Sequence, residues 1–277
     1  MREPGFYLSA AAVGAVLAGL LSVGLTPWMR RLAFQFGAAH APRARDVHQQ
    51  PIPRWGGLAV FAAFLLSVVA LALVVQFGLG REVSSKAWQS GLGIVLAGAI
   101  LSVVGAVDDR RDLSAGKQLL VQLGCAILVL PFGVVIRYVS NPLGDGLLDL
   151  GWLGYPLTVL WLVGVANAVN WIDGIDGLAA GVSAISAFTM ALMAAWTRQP
   201  SLALLAACLG GSLLGFLRYN FNPATIFLGG GAPVVGFLLA SIATVGAFKA
   251  PVALALAVPF LLLALPLYDT TAVILKR

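Results

Sequence analysis

Long apolar stretches alternate with short polar connections along almost the whole chain. Nine of these stretches approach or exceed the roughly 20 residues that a helix needs to cross a bilayer. They fall at 6–28, 56–79, 88–107, 119–137, 152–171, 177–196, 201–217, 226–247 and 251–273. This pattern predicts an all-α polytopic membrane helix bundle of about nine transmembrane helices, which form a single integral membrane domain.

The composition supports the same class of protein. Of the 277 residues, 60% are hydrophobic and 10% are charged, and the mean hydropathy is +0.95. Soluble domains have about 45–50% apolar and 25% charged residues. The net charge of +6 is not clustered on a soluble face, so a nucleic-acid partner is excluded.

The basic residues predict an orientation for the bundle. If the first span ends in the cytoplasm, eleven of the 17 lysines and arginines fall on the cytoplasmic side. The positive-inside rule favours this arrangement, with the amino terminus outside. We therefore expect a multi-pass membrane protein with its carboxyl terminus in the cytoplasm.

The polar stretch 167–181, NAVNWIDGIDGLAAG, lies between two apolar spans. Its amides Asn167 and Asn170 and its carboxylates Asp173 and Asp176 are costly inside a bilayer, so they belong at its rim or in a wet cavity. An ordinary connecting turn is the alternative, but such a turn does not need two amides and two acids. We interpret the stretch as a candidate binding site.

A second polar group follows the third span. Asp108 and Asp109 end an apolar helix, and adjacent acids at a membrane rim can hold Mg²⁺ or act as a base. Lys117 lies in the first turn of the next helix, where a cation opposes the helix dipole unless an anionic ligand is near. The alternative is a solvated charged loop that neutralises itself.

The connection from Arg30 to Arg54 carries five arginines, two histidines and several prolines. It could bind the phosphate of a substrate or of an anionic lipid. Arg30 and Arg31 could equally serve as topology anchors, whereas His48 and Arg54 are better candidates for substrate binding. Under the predicted orientation, all three polar motifs lie on the cytoplasmic face, as one composite active site would require.

Four segments together resemble a known family. They read, in order, VHQQPIPRWGGLAVF, GAVDDRRDLSAGKQLLVQ, NAVNWIDGIDGLAAG and FNPATIFLGG. They are similar to the polyprenyl-phosphate N-acetylhexosamine-1-phosphate transferases. The lysine after Leu-Ser in the second segment resembles the N-acetylglucosamine branch more than the muramoyl-pentapeptide branch.

The resemblance implies a helix bundle with a cytoplasmic cleft and a Mg²⁺-dependent reaction, with Mn²⁺ as an alternative metal. Undecaprenyl phosphate would attack the β-phosphorus of a UDP-sugar, giving a polyprenyl diphospho-sugar and UMP. Asp108 and Asp109 would handle the lipid phosphate and the metal, and Lys117 would offset phosphate charge. Asn170, Asp173 and Asp176 would line the nucleotide and catalytic pocket. Whether the chain forms a homodimer stays open.

Two departures from the family lie in the last third of the chain. After PATIFLG the family has a metal-binding Asp, but this chain has Gly230, and the stretch up to Gly236 is one residue short. The family also continues beyond the last predicted span. These departures suggest a truncated, frame-damaged or divergent member with altered metal binding.

Two other functions were compared with this one. A CDP-alcohol phosphotransferase would need further acids after Asp176, and the chain has none before Asp269. A transporter would place its acids near span midpoints, whereas these gather at span ends. The competing expectations are thus an active sugar-1-phosphate transferase and an inactive relative.

Overall fold

A computed structural model of the chain describes residues 4–40, 51–75, 84–140 and 146–246. Eight α-helices and two short antiparallel strand pairs make up the regular structure of these residues. The helices are α1 (Pro4–Gln35), α2 (Gly56–Leu73), α3 (Ser85–Arg111), α4 (Ala115–Val129), α5 (Gly154–Ile172), α6 (Leu178–Trp196), α7 (Pro200–Asn220) and α8 (Ala232–Val245). The strand pairs are β1 (Ala39–His40) with β2 (Ile52–Pro53), and β3 (Tyr138–Ser140) with β4 (Leu147–Asp149).

The helices confirm an all-α polytopic membrane bundle. Within the described residues, α1 to α7 are each long and apolar enough to cross a membrane, where α4 and α5 include the adjoining 3-10 turns at 130–132 and 151–153. Helix α8 is apolar but shorter. The ninth expected span, 251–273, lies outside the described residues, so the count of nine and the orientation stay predictions.

Several helix boundaries differ by a few residues from the predicted spans, and two of these differences affect polar segments near the site. Helix α1 continues to Gln35, so Arg30 and Arg31 lie in its last turns and not in a loop. Arginine is a good helix former, and the helix ends only before Gly37, which has a φ of +72°. Arg30 also lies over the ring of Phe34, 6.0 Å from its centroid.

Helix α8 starts six residues later than the predicted span. Residues 227 and 228 are instead hydrogen-bonded to the segment that leads into α2. The Phe227 amide donates to the Pro53 carbonyl at 2.9 Å. The amides of Gly56 and Gly57 donate to the carbonyls of Phe227 and Leu228, each at 3.0 Å. An apolar sequence does not reveal this pairing, because its hydrogen bonds join backbone groups that are far apart in the chain.

Small residues let α1 pack against α7 at backbone contact. A Cβ atom added at Gly211 would overlap the carbonyl oxygen of Ala15, and one added at Gly215 would overlap that of Gly19. Tyr219 continues this contact by donating its hydroxyl to the Val23 carbonyl at 3.1 Å. Close approach at small residues is a common way to hold membrane helices together.

We predict that Gly211→Ala lowers the free energy of unfolding by about 1–3 kcal/mol, because the new methyl group forces the two helices apart. Thermal unfolding in detergent measures this change. Gly24→Ala on α1 is the matched control, since nothing lies within 4 Å of its added Cβ. Equal melting temperatures for the two variants would contradict the packing described here.

Candidate active site

The polar motifs meet in one cavity where helices α3, α5 and α7 end. Its volume is about 740 Å³, within the range of about 300–1,000 Å³ that is usual for ligand pockets. The polar side chains on its wall are Arg54, Asp108, Asp109, Gln118, Gln122, Asn170, Asp173, Asp176, Asn220 and Asn222. Four connections that are distant in sequence, before α2, between α3 and α4, between α5 and α6, and between α7 and α8, therefore supply a single site.

Asp108 and Asp109 lie in the last turn of α3 and have different hydrogen-bond partners. Oδ1 of Asp108 accepts hydrogen bonds from the Leu113 amide at 2.8 Å and from Nε2 of Gln118 at 2.9 Å. Oδ1 of Asp109 accepts from the Gly230 amide at 2.9 Å. Neighbouring residues on a helix point in different directions, so one acid holds the start of α4 and the other faces the glycine turn at 229–231.

The glycine turn supplies amide donors where the family resemblance predicts a carboxylate. The Gly229 amide hydrogen-bonds to Asp173, and the next amide, of Gly230, donates to Asp109. Gly229 has a φ of +61°, which favours glycine. The turn is held in place by backbone contact, because a Cβ at Gly230 would overlap the carbonyl oxygen of Gly105.

Asp173 is the C-cap of α5 and is half-buried. Burial raises its pKa from 3.8 to about 8, and the negative charge of Asp109 adds to the increase. The Gly229 amide and the positive charge of Arg54 act in the opposite direction. These two groups thus do not offset the effects of burial and of the neighbouring acid on the carboxyl of Asp173.

Asp176 and Arg54 join the remaining loops to the cavity. Oδ2 of Asp176 accepts from the Ala224 amide at 2.9 Å, which fixes the 173–177 turn against the loop after α7. The side chain of Arg54 is 30% exposed and lies 3.9 Å from Asp112. That ion pair is weak, because Asp112 is almost fully exposed, and Arg54 also lies on the wall of the cavity.

Six of the nine residues proposed from the sequence lie on the cavity wall: Arg54, Asp108, Asp109, Asn170, Asp173 and Asp176. Lys117 is exposed in the first turn of α4 and is not on the wall. Asn167 lies behind the wall, where its Nδ2 donates to Gln122. His48 lies outside the described residues.

Several wall residues received no role from the sequence. Gln118 and Gln122 are polar positions four residues apart on α4, a spacing that places both on one helix face. Asn220 is 2% exposed, and its Oδ1 has no partner among the described residues. The glutamine spacing was a usable signal. The burial of Asn220 depends on tertiary packing, so the sequence could not reveal it.

The apolar helices and the acidic cavity at one end of their bundle define a polytopic membrane protein with a polar binding site. The family model "Glycosyl transferase family 4" matches residues 91–247, which include all four carboxylates of the site. The chain belongs to this family.

Curated relatives agree with that assignment. The chain is 37% identical to the probable undecaprenyl-phosphate N-acetylglucosaminyl 1-phosphate transferase of Bacillus subtilis, over 96% of this chain and 71% of the relative. It is 32% identical to the decaprenyl-phosphate N-acetylglucosaminephosphotransferase of Mycolicibacterium smegmatis, over 99% and 72%. It is 30% identical to the phospho-N-acetylmuramoyl-pentapeptide-transferase of Bacillus mycoides, over 88% and 76%.

We predict that Gly230→Asp, which introduces the carboxylate that the family resemblance implies, lowers both thermal stability and the binding of UDP-N-acetylglucosamine. The new Cβ would overlap Gly105, so the turn must shift. The hydrogen bond from the backbone amide at position 230 to Asp109 is then lost. The free energy of unfolding should fall by about 1–3 kcal/mol. Thermal unfolding and titration with UDP-N-acetylglucosamine measure the two effects.

Gly124→Ala on α4 is the control for this substitution, because nothing lies within 4 Å of its added Cβ. A gain of stability or of binding by Gly230→Asp would show that the turn accepts a carboxylate without displacement, contrary to the packing at Gly105.

We predict that Asp173→Asn stabilises the protein in EDTA, by a few kcal/mol at most, while it impairs activity. The carboxyl pKa is about 8 when folded and 3.8 ordinarily, so between these values the folded state binds more protons. The stability of the unsubstituted protein therefore falls as the pH rises from about 4 to 8, and the advantage of the variant grows over the same range.

Melting temperatures at pH 5, 7 and 9 check this prediction. Asp112→Asn is the matched control, because Asp112 is exposed and asparagine tolerates its φ of +46°. A pH-independent difference between Asp173→Asn and the unsubstituted protein would contradict the raised pKa.

Proposed function

We propose that the chain transfers N-acetylglucosamine 1-phosphate from UDP-N-acetylglucosamine to undecaprenyl phosphate. The products are UMP and a polyprenyl diphospho-sugar for cell-wall or surface polysaccharide synthesis. The observation that carries this proposal is the cavity itself, in which Arg54 and four carboxylates meet in a member of family 4. The name of the Bacillus subtilis relative describes the same type of reaction.

In the proposed reaction, an oxygen of the lipid phosphate forms a bond to the β-phosphorus of the nucleotide sugar. The bond from that phosphorus to the bridging oxygen breaks, and UMP leaves with the electron pair. Phosphoryl transfer needs chiefly positioning and charge neutralisation. Arg54 is suited to balance the diphosphate, and the turns at 173–177 and 229–231 are suited to hold the acceptor and donor apart from bulk water.

The carboxylates of the cavity fit Mg²⁺ only in part. Among the described residues, no group of three or more His, Cys, Asp or Glu side chains is placed to hold a metal. Mg²⁺ usually takes one or two carboxylates together with water and substrate phosphates, and the adjacent acids Asp108 and Asp109 can supply that share. When bound, the ion would neutralise charge on the phosphates. We expect Mn²⁺ to substitute for it.

The side of the membrane on which the cavity opens is part of the proposal. Because eleven of the 17 basic residues fall on this side in the topology predicted from the sequence, the positive-inside rule favours a cavity open to the cytoplasm of a bacterial inner membrane. The nucleotide sugar would enter from water, and undecaprenyl phosphate would enter along the bilayer. Both substrates can then reach the same carboxylates.

An inactive relative is the second candidate, and Gly230 is the observation that favours it. The family resemblance predicts a metal-binding carboxylate at this position, and this chain has a glycine whose amide is bonded to Asp109. Such a protein would bind the nucleotide sugar and release little UMP. Binding and turnover must therefore be measured separately.

We predict UMP release from UDP-N-acetylglucosamine that requires undecaprenyl phosphate and Mg²⁺. Asp109→Asn should lower kcat/KM by about 100-fold or more, because a charged partner of the phosphates or metal is lost (about 3 kcal/mol). The assay uses the full chain in detergent micelles or nanodiscs, with and without EDTA.

Asp149→Asn is the control, since Asp149 lies in the β3–β4 pair and an asparagine oxygen can still accept from the Gly151 amide. Binding of UDP-N-acetylglucosamine without UMP release would favour the inactive relative. Full activity of both Asp109→Asn and Asp173→Asn would contradict the assignment of the site.

A further inference from the structure

A short chain of side-chain amides links helix α5 to the cavity. Nδ2 of Asn167 donates to the Val163 carbonyl at 2.9 Å and to Oε1 of Gln122 on α4 at 2.6 Å. Gln122 is 3% exposed and lies on the cavity wall. Asn167 is not on the wall, so its polar contacts do not reach the cavity directly.

The backbone carbonyl of Val163 determines the orientation of the side-chain amides of Asn167 and Gln122. A carbonyl oxygen only accepts, so the end of Asn167 that faces Val163 is its nitrogen. The second hydrogen of that nitrogen is directed to Gln122, so the end of Gln122 that faces Asn167 is its oxygen. The amide nitrogen Nε2 of Gln122 is therefore the opposite end, and none of the described residues accepts a hydrogen bond from it.

Gln118, one turn earlier on α4, is fixed by the same logic. Its Nε2 donates to the Leu113 carbonyl at 3.2 Å and to Oδ1 of Asp108 at 2.9 Å. Gln118 thus uses its donor within the protein to hold an acid, whereas Gln122 has a donor to offer a ligand. The two glutamines on one helix face have different tasks.

The surroundings of Gln122 indicate the chemistry of its ligand. Gln122 lies seven residues into α4 from Ala115, about 10 Å from the start of the helix. The apolar side chains of Leu101 and Val104 line the same cavity, and its charged groups are mostly acids, which repel a phosphate. A neutral N–H donor at this depth suits an anionic oxygen without the cost of burying a positive charge.

We infer that Gln122 contacts the substrate, with Nε2 donating a hydrogen bond to a phosphate oxygen, and that Asn167 is a positioning residue that holds Gln122 in this direction. The inference rests on the proposed function and adds a residue pair to it. The phosphate oxygen can come from the lipid phosphate or from the diphosphate of the nucleotide sugar, which present the same chemistry.

The experiment reverses the direction of the amide without changing its size. In Asn167→Asp the new carboxylate only accepts, so Gln122 must turn its nitrogen towards it and present its oxygen to the substrate. Gln122→Glu presents a carboxylate directly. We expect each variant to raise one KM by about 10- to 100-fold, as expected for loss of a hydrogen bond to a charged group.

Asn167→Leu separates this role from a structural one. It removes the hydrogen bond to Gln122 but leaves Gln122 free to rotate, so its KM should rise less than that of Asn167→Asp. A purely structural role predicts that the two variants lose activity in proportion to their melting temperatures. Asn167→Leu combined with Gln122→Met, an apolar pair of similar size, is the variant to use if the single substitutions do not fold.

Separate measurements distinguish the source of the phosphate. A raised KM for undecaprenyl phosphate with an unchanged Kd for UDP-N-acetylglucosamine assigns the contact to the lipid phosphate, and the reverse result assigns it to the nucleotide sugar. Both constants within twofold of the unsubstituted protein in Gln122→Glu would overturn the inference, as would equal effects of Asn167→Asp and Asn167→Leu. If the unsubstituted protein binds but does not release UMP, the proposed transfer fails alone, and the Kd values for the two substrates still test the pair.

Discussion

The site depends on close contact between the backbone of the 229–231 turn and two helices. A Cβ at Gly231 would overlap Gly57 at the start of α2, and a Cβ at Gly230 would overlap Gly105 on α3. These contacts are possible only because all four positions are glycines. They hold the turn between α2 and α3, next to Arg54 on one side and Asp109 on the other, so the loop before α2 and the end of α3 become parts of one cavity.

The same contacts decide the electrostatics of the cavity. Because the turn is held against α2 and α3, its consecutive backbone amides at Gly229 and Gly230 face Asp173 and Asp109. A side chain at Gly230 or Gly231 would not fit unless the backbone moved. The amides carry only partial positive charge, so they compensate the two acids incompletely. Asp173 accordingly keeps a raised pKa in spite of its hydrogen bond. The negative charge that remains is a cost to stability of the kind that proteins retain at functional sites.

The sequence predicted the class of fold and much of the cavity wall because both follow local rules. Apolar length predicts membrane helices, and acids or amides that interrupt such runs must lie at a rim or in a polar cavity. Asp108, Asp109, Asn170, Asp173 and Asp176 were therefore visible as candidates and lie together in the structure. Charge alone was a poorer guide, because Lys117 is a cation beside the motif but lies outside the wall.

What the sequence could not supply is the partner of each polar group. Asn167 and Asn170 look equivalent in NAVN, but over three residues they differ by about 60° around the helix axis and about 4.5 Å along it. This offset is enough for Asn170 to line the cavity while Asn167 contacts Gln122. The late start of α8 likewise depends on backbone bonds between residues 53–57 and 227–228. Both outcomes depend on how segments that are distant in sequence are aligned with each other. Tertiary packing determines this alignment, and a local sequence pattern does not indicate it.

The polar groups of the cavity are graded with depth. The charged residues Arg54, Asp108, Asp109 and Asp173 lie where the helices begin or end, close to water. Further along α4 and α5 the polar groups are the neutral amides of Gln122 and Asn167, each bonded within the bundle. Burying an ion costs far more than burying a hydrogen-bonded amide, so this order lets a polar path extend into an apolar bundle at little cost to its stability.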